Sequence, residues 1–134
     1  MKANCFVAAQ IAACRALAKE GSCVLVDRHS GAALEGSSNH VRIFIHADFA
    51  DRAARIAMEK GITTAAAEKE LKRRDRSYRS YYRGSNRGWG EADSYDLTLN
   101  TSDADVKALC GHALEFLRVM SCEKAETETA RKVG

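Results

Sequence analysis

The sequence predicts an α/β fold in which helices pack on a parallel sheet. Two short runs, residues 22–26 (SCVLV) and 41–46 (VRIFIH), are almost continuously apolar, as are strands buried on both faces of a sheet. A third run, residues 95–100, alternates apolar and polar side chains. Segments with helical periodicity separate the second run from the third, which favours parallel pairing. We therefore expect three strands with flanking helices.

Helices fill the rest of the predicted fold. Residues 3–20 are rich in alanine, the residue with the highest helix propensity. Asp48 is expected to cap the helix that follows the second strand, and Ser102 or Asp103 is expected to cap the last helix. A long basic helix is predicted over residues 68–83. The predicted order is therefore α-β-β-α-α-loop-β-α.

Length and composition place the chain among ordinary globular proteins. Its 134 residues are 46% hydrophobic and 29% charged, which argues against a disordered chain. We expect one domain over residues 1–122 and a disordered tail over 123–134, where charged and short polar residues predominate. The apolar runs are too short to cross a membrane, and the start lacks the pattern of a signal peptide, so a cytoplasmic location is expected.

The cysteines and histidines do not predict a metal site or a nucleophile. The five cysteines are widely spaced and lack a C-x-x-C motif, so we expect reduced, buried side chains rather than zinc ligands. The four histidines have no serine or cysteine partner at an informative spacing. Nucleophilic catalysis is therefore not expected.

The positive charge is concentrated in residues 69–87, which contain eight Lys and Arg residues with tyrosines between them. On the predicted helix, Leu71, Asp75, Tyr78 and Tyr82 share one face. A carboxylate on this face requires an explanation, because burying an unpaired charge is costly. One interpretation is an ion pair between Asp75 and Arg79, four residues later. The other is an anion site at which Asp75 orients an arginine or binds a ligand hydroxyl.

Polar residues follow the first two predicted strands. Residues 27–29 (DRH) come after the first strand, and residues 46–48 (HAD) come at the end of the second. Ligands bind at the carboxyl ends of strands in parallel sheets, so Arg28 is a candidate ligand-binding residue. The alternative is that Arg28 only pairs with Asp27 or Asp48 at the rim of the sheet.

Five stretches of the sequence resemble the cytidylate kinase-like branch of the nucleoside monophosphate kinases. They are VLVDRHS, VRIFIHADFADRAARI, KRRDRSYRSYYRG, the Trp-Gly pair at 89–90 and YDLTLNTS, and the resemblance covers roughly residues 10–120. It implies a P-loop-kinase-like fold with a mobile lid over about 73–94. It also implies phosphoryl transfer from ATP–Mg²⁺ to CMP or a similar nucleoside monophosphate.

The resemblance also assigns roles to individual residues. Four would bind the nucleotide substrate or flank the path of its phosphate: Arg28, Arg52, Arg55 and Asp75. Three would be the catalytic arginines of the lid: Arg74, Arg76 and Arg79. Arginine suits these roles, because its planar fork spreads positive charge around a transferring phosphoryl group.

Three departures from the family pattern bear on activity. Asp27 replaces the glycine expected before Arg28, and Tyr78 stands where the lid would have an arginine, with Arg79 one place later. The third departure is the lack of a G-x-x-x-x-G-K-[ST] sequence, which in this family forms the phosphate-binding loop near the N-terminus. We therefore expect an N-terminally truncated kinase fold, inactive as this chain or able only to bind nucleotides.

Two other classes of function are open at this point. The basic helix at 69–87 could make the chain a non-catalytic module that binds nucleic acid or phosphate. Nucleic acid is nevertheless not the expected partner, because the basic residues occupy only part of one helix and no RRM, KH or helix-turn-helix signature accompanies them. Alternatively, an exposed sheet edge could pair with another copy of the chain and form a homo-oligomer.

Overall fold

The structure is a computed structural model that describes residues 2–26, 30–37, 39–82 and 88–133. The chain forms two compact units, Met1–His40 and Val41–Gly134, where its length predicts one domain. Asp27, Arg28 and His29 lie outside the described residues, so the role expected of Arg28 stays a prediction.

The first unit contains helix α1 (Lys2–Glu20) and the short helix α2 (Ser30–Ala33). The helix predicted over 3–20 is thus confirmed. The side chain of Arg15 reaches from α1 to α2, where its Nε donates a hydrogen bond of 2.8 Å to the carbonyl oxygen of Ala33. Cys14 and Ala33 are buried, so a small contact between the two helices holds this unit together.

The strand predicted at residues 22–26 is not present. These residues form neither helix nor strand, and the side chains of Val24 and Val26 are 91% and 94% exposed. A strand is stabilised by hydrogen bonds to a neighbouring strand, and no described residue pairs with this segment. The prediction of a strand here rested on the apolar run alone, and among the described residues this segment has no neighbouring strand to pair with.

The second unit begins with a strand, two helices and a second strand. Strand β1 (Ile43–His46) leads into helix α3 (Phe49–Lys60) and helix α4 (Thr64–Tyr82). A 3₁₀ turn (Ala92–Ser94) precedes strand β2 (Leu97–Asn100). Helix α5, Val106–Val133, follows, and it continues through most of the segment for which composition predicts a disordered tail.

Strands β1 and β2 are parallel, as predicted, and they form a two-stranded sheet among the described residues. Ile43 is aligned with Leu97. The residues just before the strands fix this alignment: the backbone N–H of Asp96 donates to the carbonyl oxygen of Arg42 (2.9 Å), and the N–H of Arg42 donates to the Asp96 carboxylate (2.6 Å). Since aligned residues of a parallel pair point to one face, each face has its own composition. One carries Ile43, Ile45, Leu97 and Leu99, and the other carries Phe44, His46, Thr98 and Asn100.

Helices α3 and α4 form an antiparallel hairpin around a small core. Its buried residues are Ala53, Ile56, Ala67 and Leu71, with Phe49 and Ala57 packed beside them. Gly61 ends α3 in the left-handed conformation (φ 63°), which glycine adopts without steric cost. Thr63 caps α4, because its Oγ1 accepts a hydrogen bond of 3.3 Å from the N–H of Ala66.

Two expectations about caps and cysteines need correction. Helix α5 is capped by Asp105 rather than Ser102 or Asp103, since Asp105 Oδ1 accepts a hydrogen bond of 2.9 Å from the N–H of Lys107. Cys14 is buried, but the other cysteines whose side chains are described, Cys5, Cys23 and Cys110, are exposed and unpaired. Within the described ranges, the helices do not combine the length and apolar character needed to cross a bilayer.

Candidate functional site

An open cleft of about 290 Å³ lies where β1 and β2 end. Its lining comes from the segments that follow the two strands and from the first two turns of α3: Ala47, Asp51, Arg55, Thr101, Ser102 and Asp103. Asp51 and Arg55 lie four residues apart and therefore on one side of α3. The cleft thus combines two carboxylates, one guanidinium group and two hydroxyl groups at the edge of a parallel sheet where ligands bind.

Hydrogen bonds between the two strand ends hold this cleft in shape. Thr101 donates to the carbonyl oxygen of His46 from its backbone N–H (2.8 Å) and from its hydroxyl (3.1 Å). Ser102 Oγ accepts a hydrogen bond of 2.7 Å from the backbone N–H of Asp48. The Asp48 carboxylate makes no capping bond to α3 and instead lies 3.4 Å from Asn100 Nδ2, which donates to it. Asp48 therefore occupies the predicted cap position while its side chain ties α3 to β2.

Arg52 and Asp75, two predicted substrate-binding residues, bind each other. Arg52 Nη1 and Nη2 donate to Asp75 Oδ1 and Oδ2 at 3.0 and 2.8 Å, so the pair is bidentate and joins α3 to α4. The side chains are 26% and 16% exposed. The proposed i,i+4 pair of Asp75 with Arg79 is not formed. Asp75 faces α3, whereas Arg79 is exposed to solvent.

The three predicted catalytic arginines are all exposed on α4 but do not share one face. At about 100° per residue, Arg76 and Arg79 lie within 60° of each other, whereas Arg74 lies on the opposite flank of the buried stripe. That stripe is the predicted one, because Leu71 is buried and Asp75, Tyr78 and Tyr82 are half-buried. A single small ligand can therefore meet Arg76 and Arg79 together more readily than all three.

Lys60 and Glu70 form a second link between α3 and α4. Lys60 Nζ donates to Glu70 Oε1 at 2.6 Å. This hydrogen bond lowers the pKa of Glu70 below its ordinary value, and the positive charges of Lys60, Arg74 and Arg73 lower it further, against partial burial. Glu70 therefore neutralises part of the charge on the flank of α4 that carries Arg74.

Aromatic side chains connect the end of α4 to the sheet. Trp89 stacks on Tyr78, with ring centroids 5.4 Å apart and planes at 15°. It also meets Phe44 edge-on at 5.9 Å, and Phe44 stacks on Tyr95 at 4.7 Å. Such contacts contribute beyond their buried area. Trp89 thus packs against both α4 and β1.

The structure brings some predicted site residues together and separates others. Arg52 binds Asp75, and Arg55 lines the cleft. Among the described residues, no hydrogen bond or ion pair joins Arg52 or Arg55 to Arg76 or Arg79. The cleft residues Thr101, Ser102 and Asp103 were missed as site candidates. Their signal was in the sequence: they follow the third predicted strand, and the rule that selected the ends of the first two strands applies equally to its end.

The described residues do not fit a Mg²⁺–ATP complex. Such a complex needs a cradle of backbone N–H groups with a lysine, and the 134 residues contain no G-x-x-x-x-G-K-[ST] sequence. The start of α3 is no substitute, because the N–H of Asp48 already donates to Ser102 and the Asp48 and Asp51 carboxylates repel a triphosphate. In the described part of the chain, no three His, Cys, Asp or Glu side chains are grouped as metal ligands.

Helices on a parallel sheet, with a cleft at the strand ends and arginines on a neighbouring helix, define an α/β protein with a candidate ligand site at the edge of its sheet. The sequence profile of the cytidylate kinase-like family matches residues 2–103. The chain belongs to the cytidylate kinase-like family, which confirms the resemblance stated from the sequence.

A solved structure supports the fold. The crystal structure of an uncharacterized protein from Eubacterium ventriosum matches with a TM-score of 0.77 and 21% sequence identity, over 84% of this chain and 65% of that one. The chain therefore spans less than two thirds of that protein's length. At this identity the similarity shows the fold alone. None of the curated proteins compared with the chain matches it.

Proposed function

We propose that this chain is the nucleotide-binding part of a cytoplasmic cytidylate kinase-like phosphotransferase, which transfers a phosphoryl group from ATP to CMP or a similar monophosphate. The observation that carries the proposal is the cleft at the strand ends, in a chain of this family. Carboxylates and hydroxyls there suit the ribose hydroxyls and base amino groups of a nucleoside, which are uncharged hydrogen-bonding groups.

The phosphate of the nucleotide is assigned to arginines. Arg76 and Arg79 are both exposed and lie three residues apart on α4, so both guanidinium forks can meet one anion. By the family resemblance a lid would extend over about 73–94, of which residues 83–87 lie outside the described part of the chain. Arg74 would be a peripheral phosphate ligand. Arg28 lies outside the described residues, and its substrate-binding role stays a prediction from the family resemblance. Arg52 and Asp75 hold α3 and α4 in register and act as positioning residues.

By itself the 134-residue chain is expected to bind nucleotide without turning it over. Phosphoryl transfer depends on positive charge and backbone donors around the ATP phosphates. The described residues offer the arginines but not the cradle. The proposal therefore separates acceptor binding, which we assign to these residues, from Mg²⁺–ATP binding, which we do not.

Calorimetric titration tests both parts. CMP is expected to bind, and Mg²⁺–ATP is expected not to bind. Arg55→Gln and the double variant R76Q/R79Q should each weaken CMP binding by roughly 10-fold or more, because loss of a charge-assisted hydrogen bond costs about 1.5–3 kcal/mol. Arg118→Gln, which removes an exposed arginine from α5, is the matched control and should leave CMP affinity unchanged.

Two results would contradict the proposal. If neither CMP nor another nucleoside monophosphate binds, the chain has no acceptor site and family membership records ancestry alone. If clean preparations convert CMP to CDP with ATP, then the expectation that this chain lacks turnover is wrong.

A further inference from the structure

The solvent side of α4 carries more positive charge than one nucleotide needs. Five cations lie along it, all exposed: Lys69, Lys72, Arg73, Arg76 and Arg79. At a rise of 1.5 Å per residue they span about 15 Å. Among the described residues, one carboxylate lies within ion-pair distance of this basic row, that of Glu68, 3.6 Å from Lys72. A monophosphate can occupy two arginine forks, so most of the row is left without a role in the proposed site.

An extended polyanion matches this row better than a single phosphate does. Closely spaced cations on one helix face gain most from a ligand with regularly repeated charge, because each contact releases condensed counterions. A membrane surface is disfavoured. The apolar side of α4, where Ala67 and Leu71 lie, is packed against α3 and is not free to enter a bilayer.

The positions of the aromatic residues of α4 determine whether the bases of such a partner can be contacted. Tyr78 is stacked on Trp89, and Tyr81 and Tyr82 contact each other with ring centroids 5.1 Å apart. These tyrosines lie on the buried stripe or its far flank. The ring beside the row is that of Phe49, which packs against the core of the hairpin and has Lys72 Nζ 5.4 Å from its centroid. Among the described residues, the row therefore presents no open ring face on which a base could stack. Without stacking or base-edge contacts, the row can bind only the sugar–phosphate backbone of a nucleic acid.

From these observations we infer that the solvent side of α4 is a docking surface for the phosphodiester backbone of nucleic acid, without sequence preference. This function is additional to nucleotide binding in the cleft. Lys69 and Arg73 belong to the basic row and not to the proposed nucleotide site, so the two functions can be tested separately.

The test is fluorescence anisotropy with labelled single-stranded DNA of about 20 nucleotides, in mixed and all-thymidine sequence, over a series of salt concentrations. The double variant K69Q/R73Q removes two cations from the row. Its matched control, K19Q/R118Q, removes one Lys and one Arg from elsewhere. Circular dichroism and CMP titration establish that both variants are folded and keep the cleft.

The wild-type chain is expected to bind both oligonucleotides equally, with affinity that falls as salt rises. In K69Q/R73Q the slope of log affinity against log salt should decrease by about 1.4, from 0.7 per lost phosphate contact, and affinity at low salt should fall about 10-fold or more. K19Q/R118Q should behave as wild type.

Three results would overturn the inference. Equal losses in the two double variants would mean that net charge, and not the row, attracts the DNA. Absence of salt-dependent binding would mean that the row is merely solvated. Binding of polyglutamate as tight as that of DNA would identify an acidic protein as the better partner.

Discussion

The side chain of Asp75 joins helix α4 to helix α3. It lies on the inner face of α4, as its spacing from Leu71 predicts, and it is satisfied by Arg52 of α3. The candidate partner in the local sequence was Arg79, but the real partner is 23 residues away. Helical periodicity predicts which face of a helix a side chain lies on, but it does not predict which residue of another element the side chain contacts.

Asp75→Asn should lower the free energy of unfolding by about 1–3 kcal/mol, because it breaks a charge-assisted bidentate pair and leaves the Arg52 guanidinium partly buried. Arg79→Gln should change it by less than about 0.5 kcal/mol, as is usual for an exposed position. Urea unfolding of both variants at neutral pH measures the difference. Equal effects would restore the i,i+4 interpretation.

Gly61 and Gly111 make a second comparison between single residues. Gly61 adopts φ 63° at the end of α3, whereas Gly111 lies inside α5 with nothing within 4 Å of an added Cβ. Gly61→Ala should destabilise the chain by about 1–2 kcal/mol, the cost of a left-handed conformation for an L side chain. Gly111→Ala should stabilise it by about 0.5–1 kcal/mol through helix propensity. Thermal unfolding should therefore show shifts of opposite sign, and shifts of equal sign would contradict the assigned backbone conformations.

At the scale of elements, local signals predicted the helices well and the sheet only in part. Helix α1 and the hairpin of α3 and α4 follow from propensity, periodicity and end residues, which are all local. The strand predicted at 22–26 failed because an apolar run cannot show whether a neighbouring strand exists. The cleft was half predicted: the end of β1 was chosen, but the loop after β2 was not.

The contact between Lys60 and Glu70 makes the hairpin sensitive to acid. The pKa of Glu70 is lowered in the folded state, first by the hydrogen bond from Lys60. A carboxyl with a depressed folded pKa stabilises the protein above its unfolded pKa, and this contribution is lost as pH falls through the folded pKa. The ordinary pKa of a glutamate carboxyl is 4.5. As pH falls below that value, the melting temperature of Glu70→Gln should decline less steeply than that of wild type.

Lys60→Met provides the check on this prediction, because it removes the first cause of the shift and keeps the carboxyl. It should also flatten the acid limb of the stability curve, though less than Glu70→Gln, since Arg73 and Arg74 continue to act on Glu70. An unchanged acid limb in both variants would show that the pair does not stabilise the hairpin.

For the molecule as a whole, the described residues bury little apolar surface. The buried hydrophobic side chains among them are few and small: Cys14, Ala33, Ala53, Ile56, Ala67 and Leu71. By contrast, Ile45 is 65% exposed on the apolar face of the sheet, and both outer edges of the two-stranded sheet are unpaired among the described residues. Unpaired edges and exposed apolar faces favour association between chains.

The 134-residue chain should therefore self-associate as its concentration rises and should bind the dye ANS. Sedimentation velocity over a concentration series and ANS fluorescence measure these properties. Ile45→Lys, which places a charge on the exposed face of β1, should shift the chain toward monomer. A wild-type chain that is monomeric at every concentration and does not bind ANS would exclude association through this sheet.

The pairing of β1 with β2 also sets the order in which the molecule can fold. The strands join residues 54 positions apart, whereas Lys60 and Glu70 in the hairpin are separated by 10. Because closing a long loop costs entropy before any contact repays it, the helical hairpin should form early and the sheet late. At a synthesis rate of roughly 5–20 residues per second, β2 is synthesised several seconds after β1. During that interval β1 lacks its partner strand and its apolar face stays uncovered, so we expect the yield of folded chain to depend on how soon β2 follows.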